Sequence, residues 1–212
     1  MDSNKNALYE VRKAYRLLFD FQDRILDLMG FIGNSYNRKY LGGYPKFSDE
    51  VHQKGKGKLS NWAWDWLSMY FYLFHFGTEK VSEDEITFGV FLMADDGYFR
   101  ARQSTKDLGK KEVDNFYEIE NSETKLIFVV GKNHWQREGL FGDDWQKTEF
   151  TLGKEGRWPD NQETDNFMLF KAYDLAQFFT QDEANKQLRD FAKYCNQNGV
   201  SLEFKENEIK GK

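Results

Sequence analysis

The chain has 212 residues, enough for one large domain, and its 20 phenylalanines can supply an extensive hydrophobic core. Charged residues make up 31% of the chain, which is typical of a soluble, folded protein and excludes disorder of the whole. The net charge of −5 argues against general nucleic-acid binding, which needs a basic surface, and is compatible with docking on a basic patch of another protein.

Residues 4–35 are predicted to form a long helix. Apolar side chains recur at three- and four-residue spacing through Leu8, Val11, Tyr15 and Leu18, and charged residues fill the opposite side. We expect this helix to lie on a sheet, and a helix that binds a partner or dimerises is the alternative. The chain has no run of ~20 apolar residues and no signal pattern at its start, so we expect a cytoplasmic protein without membrane contact.

Residues 36–60 are predicted to form a long flexible loop. The sequence Gly42–Pro45 is a turn signal, and the alternating lysine and glycine run at 54–58 is basic and flexible. This run does not match a nucleotide-binding P-loop, which has wider glycine spacing and a Ser or Thr after its lysine. We therefore expect a solvated loop here.

The aromatic stretch 61–102 is the predicted centre of the fold. We expect a short helical turn from about Ser60 that passes into a strand over residues 67–76, ended by Gly77. The competing interpretation is a helix whose apolar stripe includes Trp62 and Trp66.

Two further strands are predicted in the second half of that stretch. Residues 86–93 are apolar on both faces, which is typical of a strand covered on both sides. Asp95-Asp96-Gly97 predicts a hairpin turn into a third strand over residues 98–102. The three strands would then form an antiparallel meander.

The middle of the chain combines one clear strand with irregular segments. Residues 103–124 are charged, and their few apolar side chains fit a helical face or a short strand equally well. Residues 125–130 are predicted to form a buried strand that ends at Gly131.

The segment 132–165 is rich in tryptophan and glycine and is predicted to carry a binding surface. A short strand is expected at residues 150–153, and the rest has no regular pattern; long irregular connections are often functional. Tryptophan beside arginine can anchor an interface or stack on a base or sugar. The alternative is that the tryptophans pin the segment to the core. The candidate binding residues are Trp135, Arg137, Trp145, Arg157 and Trp158.

The last part of the chain predicts a strand and a capped helix. Residues 166–173 form the strand, and Thr180 with Glu183 fits a capping box ahead of a helix that stops at Asn198-Gly199. Residues 200–204 are expected to add an edge strand, and residues 205–212 a polar tail.

These elements predict a single α+β domain over residues 1–212. A mainly antiparallel sheet of about five strands would be covered by the long N-terminal helix and the capped C-terminal helix. Strands without regular helical crossovers argue against a doubly wound parallel sheet.

Catalytic constellations are scarce in the sequence. His52, His75 and His134 are not within metal-ligand spacing of one another, and the one cysteine, Cys195, lies on the apolar stripe of the last helix. A single cysteine also excludes an internal disulfide, and neither a nucleophile elbow nor a dinucleotide fingerprint occurs. We therefore expect neither a cofactor nor a bound metal.

One group of carboxylates with a lysine supports an alternative prediction. Glu123-Thr124-Lys125 resembles the carboxylate-x-lysine arrangement of Mg²⁺-dependent nucleases, in which oxygens hold a hard cation and a lysine lies near the attacking water. With Asp95 and Glu120, it predicts a Mg²⁺-dependent nuclease or other hydrolase. Here the triplet precedes the apolar run instead of lying within it, and a partner aspartate is not evident.

The leading prediction is a non-enzymatic binding or regulatory protein. Its tryptophan-rich segment and acidic surface favour docking on a larger protein or a protein–nucleic-acid assembly, one with a basic surface. The sequence motifs match no named family.

Overall fold

The computed structural model describes residues 3–45, 70–110, 112–134, 148–158 and 164–206. Over this part of the chain, the strands join into one antiparallel six-stranded sheet with the order β1-β2-β3-β4-β6-β5. The α+β class is confirmed, with one strand more than the sequence predicts. In chain order the elements are α1 (Ser3–Ser35), β1 (Gly42–Pro45), β2 (Phe71–Val81), β3 (Asp84–Met93), α2 (Gly97–Ser104), β4 (Lys125–Lys132), α3 (Thr148–Thr151), β5 (Glu155–Trp158), β6 (Phe167–Asp174) and α4 (Gln181–Gln197).

The sheet buries a hydrophobic cluster on each of its two faces. On one face, called here the helical face, α1 and α4 cover side chains that include Phe88 and Phe128. On the opposite face, α2 and α3 cover side chains that include Phe71 and Phe91, whose rings stack at 5.1 Å. Covering on both sides explains why β3 is apolar at successive positions, as the sequence predicts.

Helix α1 packs on the sheet through its second half alone. Ile25, Met29 and Ile32 are at most 2% exposed, and they carry the apolar spacing onto the helical face. The residues from 6 to 20 are all exposed. The helix ends where Asn37 adopts a positive φ of 52° and the Arg38 N–H donates to the Gly33 carbonyl at 2.7 Å.

Strand β1 corrects the prediction of a flexible loop over residues 36–60. Gly42–Pro45 pairs with β2 as an edge strand. A Cβ at Gly43 would overlap the ring of Tyr72, so glycine lets the two backbones pair across a large aromatic side chain. The rest of that loop, residues 46–60, lies outside the described residues, as does the predicted helical turn near Ser60.

Strand β2 also runs further than the sequence predicts, because Gly77 does not end it. The register shifts between His75 and Thr78, and Gly77 has a φ of +80° within a strand that continues to Val81. This glycine therefore supplies a bulge and not a stop. A two-residue turn then leads into β3, with Ser82 at a φ of 59°.

Residues 97–104 form helix α2, so the predicted hairpin and third strand of the meander are wrong. The Asp95 carboxylate accepts the Gly97 N–H at 2.7 Å, and the Asp96 carbonyl accepts the Arg100 N–H at 3.0 Å, which is a helical start. Tyr98 and Phe99 are buried against the opposite face. The strand that follows β3 in the sheet is therefore β4, reached after a long covering connection.

The described residues of that connection beyond α2 and of the segment after β4 contain only short regular elements. Two single 3₁₀ turns, Val113–Asn115 and Ile119–Asn121, settle the region that the sequence leaves open. The predicted strand at residues 150–153 is wrong: α3 occupies Thr148–Thr151, and a strand, β5, follows it at Glu155–Trp158. Phe150 is buried against the ring of Phe91 at 5.1 Å, a packing role that a helical turn can also serve.

Helix α4 begins at the predicted cap. The Thr180 hydroxyl accepts the Glu183 N–H at 3.3 Å and donates to the Glu183 carboxylate at 2.9 Å. The predicted edge strand at residues 200–204 is absent, and these residues are irregular. Val200 and Leu202 are nevertheless buried on the helical face, so their apolar character reflects core packing. Residues 207–212 of the predicted tail lie outside the described residues.

Candidate functional site

A partly buried ion cluster joins the start of α2 to the start of β4. Asp96 is fully buried, and its Oδ2 accepts from Arg100 Nε at 2.8 Å and lies 3.2 Å from Lys125 Nζ. Its Oδ1 accepts the Glu123 N–H at 2.8 Å. Glu123 Oε2 closes the cluster, at 3.2 Å from Lys125 Nζ and 3.0 Å from Arg100 Nη2. The two acids and two bases neutralise one another.

The ion cluster contains half of the residues proposed for the alternative hydrolase site. Glu123 and Lys125 meet as the sequence suggests, whereas the aspartate that they meet is Asp96. Asp95 instead binds the Gly97 N–H, and Glu120 is exposed on a 3₁₀ turn. Among the described residues, no group of three or more His, Cys, Asp or Glu side chains is arranged to hold a metal ion.

The geometry of the cluster is that of a structural tie. Lys125 keeps 8% of its side chain exposed and Asp96 none, so their charges face each other and not a cleft. Hydrogen bonding to Asp96 raises the pKa of Arg100, as expected for a guanidinium paired with a carboxylate. Sequence reasoning missed Asp96 and Arg100 as partners, although opposite charges four residues apart are the signature of a pair along one helical turn.

Two of the five predicted binding residues lie in the described part of the chain, at the edge strand β5. Arg157 is opposite Leu169 and Trp158 is opposite Met168 in the pairing with β6. Because successive side chains of a strand point to opposite faces, the two residues do not form one patch. Arg157 is on the helical face, and Trp158 packs at the margin of the opposite-face cluster. Trp135, Arg137 and Trp145 lie outside the described residues.

Arg157 is held in place by an aromatic ring and a carbonyl. Its Cζ lies 3.6 Å from the centroid of the Phe167 ring, and its Nη2 donates to the Thr164 carbonyl at 2.7 Å. It lines a polar depression of about 220 Å³ together with Lys132, Asp165 and other residues. Lys132 is paired with Asp165 at 3.2 Å, so the depression presents mixed charge.

Three titratable groups outside the ion cluster, Cys195, His75 and Asp190, lie in surroundings that serve the packing of the fold. Cys195 is fully buried in the cluster on the helical face, so it is a core residue, as the sequence predicts, and burial raises the pKa of its thiol. Burial lowers the pKa of His75. Asp190 accepts a hydrogen bond from the Tyr173 hydroxyl at 2.7 Å and forms an ion pair with Lys171 at 2.9 Å. These two contacts tie α4 to β6.

A sheet covered on both faces by helices and irregular segments, with an exposed helical extension, defines an α+β protein. Of the helices described, none is both long enough and apolar enough to span a bilayer. The chain belongs to the PM0109 family, whose sequence model matches residues 2–203.

One curated relative is the uncharacterised protein PM0109 of Pasteurella multocida (strain Pm70). It is 50% identical over 38 residues, which are 18% of this chain and 19% of the relative. The match thus spans about a fifth of the relative's length. No solved structure matches this chain.

Proposed function

We propose that this protein is a non-enzymatic binding or regulatory protein of the cytoplasm that docks on a larger protein or protein–nucleic-acid assembly. The proposed contact lies along the outer edge of β5, which Arg157 and Trp158 flank on opposite faces, and includes the tryptophan-rich segment with Trp135, Arg137 and Trp145 and the acidic surroundings. The net charge of −5 suits a partner with a basic surface.

The observation that carries this proposal is the rigid presentation of Arg157 at the outer strand of the sheet. Stacking on Phe167 and the bond to Thr164 fix the guanidinium before any partner arrives, so little side-chain entropy is lost on binding. Arginine and tryptophan are the side chains that most often dominate binding energy at interfaces. Trp158, which lies in the described part of the chain, is half-buried and packs at the margin of the opposite-face cluster.

The experiment begins with affinity capture from an extract of the native host, followed by mass-spectrometric identification. The affinity of the purified partner is then measured by calorimetry for the native chain and for Arg157→Lys, which keeps the charge and loses the planar stack. We expect at least a tenfold loss of affinity. Arg189→Lys is the matched control, because Arg189 is an exposed arginine paired with Glu206 at 3.0 Å. If the native chain, Arg157→Lys and Arg189→Lys bind the partner with equal affinity, Arg157 is not part of the proposed contact surface.

Single alanine substitutions at Trp135, Trp145 and Trp158 test the aromatic part of the surface. We expect folded proteins with weakened binding. If folding is lost in each case and the refolded material binds normally, these tryptophans are core residues and the proposed surface is wrong.

The alternative function, a Mg²⁺-dependent nuclease or other hydrolase, is favoured by the contact between Glu123 and Lys125. Glu123 Oε2 is already engaged by Arg100 and Lys125, and both oxygens of the neighbouring Asp96 bind protein groups, which leaves few lone pairs for a hard cation. Calorimetric titration with Mg²⁺ and cleavage assays on single-stranded and duplex substrates separate the two functions. Cleavage that depends on Mg²⁺ and is abolished by Glu123→Gln would establish the hydrolase and refute the binding protein.

A further inference from the structure

The exposed half of α1 carries an apolar stripe that continues the one buried in the core. Leu8, Val11, Tyr15 and Leu18 are 58%, 47%, 56% and 38% exposed. Their spacing alternates between three and four residues, and the same alternation leads through Gln22, a buried polar residue, to Ile25 and the residues beneath the sheet. This is the repeat that places side chains along the seam of two paired helices. We propose that a second copy of this chain covers the stripe, with the two α1 helices antiparallel.

The stripe is self-complementary in the antiparallel direction. If two helices cross at residue 13, Leu8 of one copy faces Leu18 of the second, and Val11 faces Tyr15. Each contact then occurs twice, as a two-fold interface requires. The crossing point lies among the exposed residues 6–20, so the pairing covers this part of the helix and ends where the sheet begins.

A parallel pairing does not fit the same helix. A parallel seam sets each residue against its own copy along the whole stripe, so it would continue into Ile25 and Met29. The chain's own sheet already covers those residues, which are at most 2% exposed. Parallel helices would also bring both sheets to the same end of the pair. Antiparallel helices place them at opposite ends, where they do not compete for space.

The size of the surface suits a helix pair. Fifteen residues of helix are about 22 Å long, and an isolated helix of that length is marginal in water. Four half-exposed seam residues and their neighbours would bury on the order of 500 Å² per copy, or about 1,000 Å² in total, near the lower limit of specific interfaces. We therefore expect a dissociation constant on the order of micromolar.

Charge favours a second copy over an anionic membrane as the occupant. The exposed range 6–20 contains three basic and two acidic side chains, a balance of only +1, and the whole chain carries −5. Helices that bind anionic membranes by charge have a strongly basic polar face, and the rest of this protein would be repelled. A dimer needs no net charge on the helix, because its seam is apolar.

The test compares two neighbouring leucines in the full-length protein by sedimentation velocity over a concentration series. Leu18→Glu places a charge in the seam, whereas Leu17→Glu places the same charge outside it at a residue that is 70% exposed. We expect the native chain and Leu17→Glu to dimerise alike, and Leu18→Glu to raise the dissociation constant at least tenfold. A native chain that remains monomeric up to about 100 times the expected constant, or a Leu18→Glu dimer of native strength, overturns the proposal.

Disulfide cross-linking tests the orientation independently. In the antiparallel pair, oxidation of a mixture of Leu8→Cys and Leu18→Cys proteins gives a mixed dimer. Each variant alone gives little, because identical positions lie ten residues apart, about 15 Å along the helix. The native Cys195 is fully buried and does not interfere. The antiparallel dimer is overturned if the Leu8→Cys protein alone cross-links efficiently. It is also overturned if the protein is a monomer that binds anionic vesicles through this helix.

Discussion

Removal of the Asp96 charge is the sharpest test of what the ion cluster does. Asp96→Asn keeps the shape of the side chain and an oxygen for the Glu123 N–H, and it leaves Lys125 with 8% of its side chain exposed. Loss of one partner from a buried ion pair costs about 3–5 kcal/mol. Glu123 remains as a counter-ion, but its side chain is 59% exposed, so it screens the ammonium only partly. Because Glu123 still compensates part of the Lys125 charge, we expect the loss in free energy of unfolding to be at the lower end of this range, about 3 kcal/mol.

Urea denaturation measures this loss directly. With an m-value of about 2 kcal/mol per molar urea, the midpoint falls by about 1.5 M, and the thermal midpoint falls by about 6–12 °C. Glu120→Gln is the control, because it makes the same chemical change on an exposed turn and should stay within about 0.5 kcal/mol of the native chain.

A second substitution separates buried charge from other effects. Lys125→Met replaces the stranded ammonium with an apolar group of similar length, so Asp96→Asn combined with Lys125→Met should recover more than half of the lost stability. If Asp96→Asn costs less than about 0.5 kcal/mol, the cluster is not a structural tie and the reasoning fails. Unchanged stability with a lost hydrolytic activity would instead assign the cluster to catalysis.

Two further predictions concern pH and the α4 cap. Burial lowers the pKa of His75 below 6.5, so the folded state binds a proton less readily than the unfolded chain. Stability is then fully present above about pH 6.5 and decreases as the pH falls through the lowered pKa; His75→Gln should flatten this slope in urea midpoints, and an unchanged slope assigns it to other groups. Thr180→Ala should cost about 1 kcal/mol by removing the acceptor for the Glu183 N–H, whereas Thr180→Ser should cost little; equal losses would contradict the capping role.

The sequence predicts well those elements whose signals are local. The spacing of α1, the capping box at Thr180 and the apolar runs of β3, β4 and β6 each lie within one continuous segment. These predictions are confirmed because the side chains that they assign to a buried face are the ones that pack in the core. The wrong assignments are those in which distant residues decide between two local structures. Gly42–Pro45 is compatible with a turn, and it becomes a strand because β2 offers a pairing edge.

The candidate cluster shows the same limit at the level of single side chains. Glu123 and Lys125 are neighbours in sequence, so their contact could be predicted. Asp-Gly is compatible with both a hairpin turn and a helix start. The Glu123 N–H, 27 residues along the chain, decides between them by binding the Asp96 carboxylate. The assignment of Asp95 in place of Asp96 follows from that missing contact, since a hairpin would direct the two carboxylates differently.

The first half of α1 extends beyond the sheet because the helix is longer than the sheet. The apolar periodicity of the helix does not reveal this. A helix of 33 residues is about 50 Å long, whereas the longest strand, with 11 residues, spans about 36 Å, and six strands are about 29 Å wide. No direction across this sheet can cover the whole helix, so several turns must extend beyond it whatever their side chains are. Because the apolar repeat resumes beyond Gln22 and past the edge of the sheet, the extension exposes a seam that selection for solubility alone would have made polar. An apolar repeat longer than the surface beneath it therefore indicates a second surface, and its antiparallel self-complementarity indicates that the chain itself can provide it.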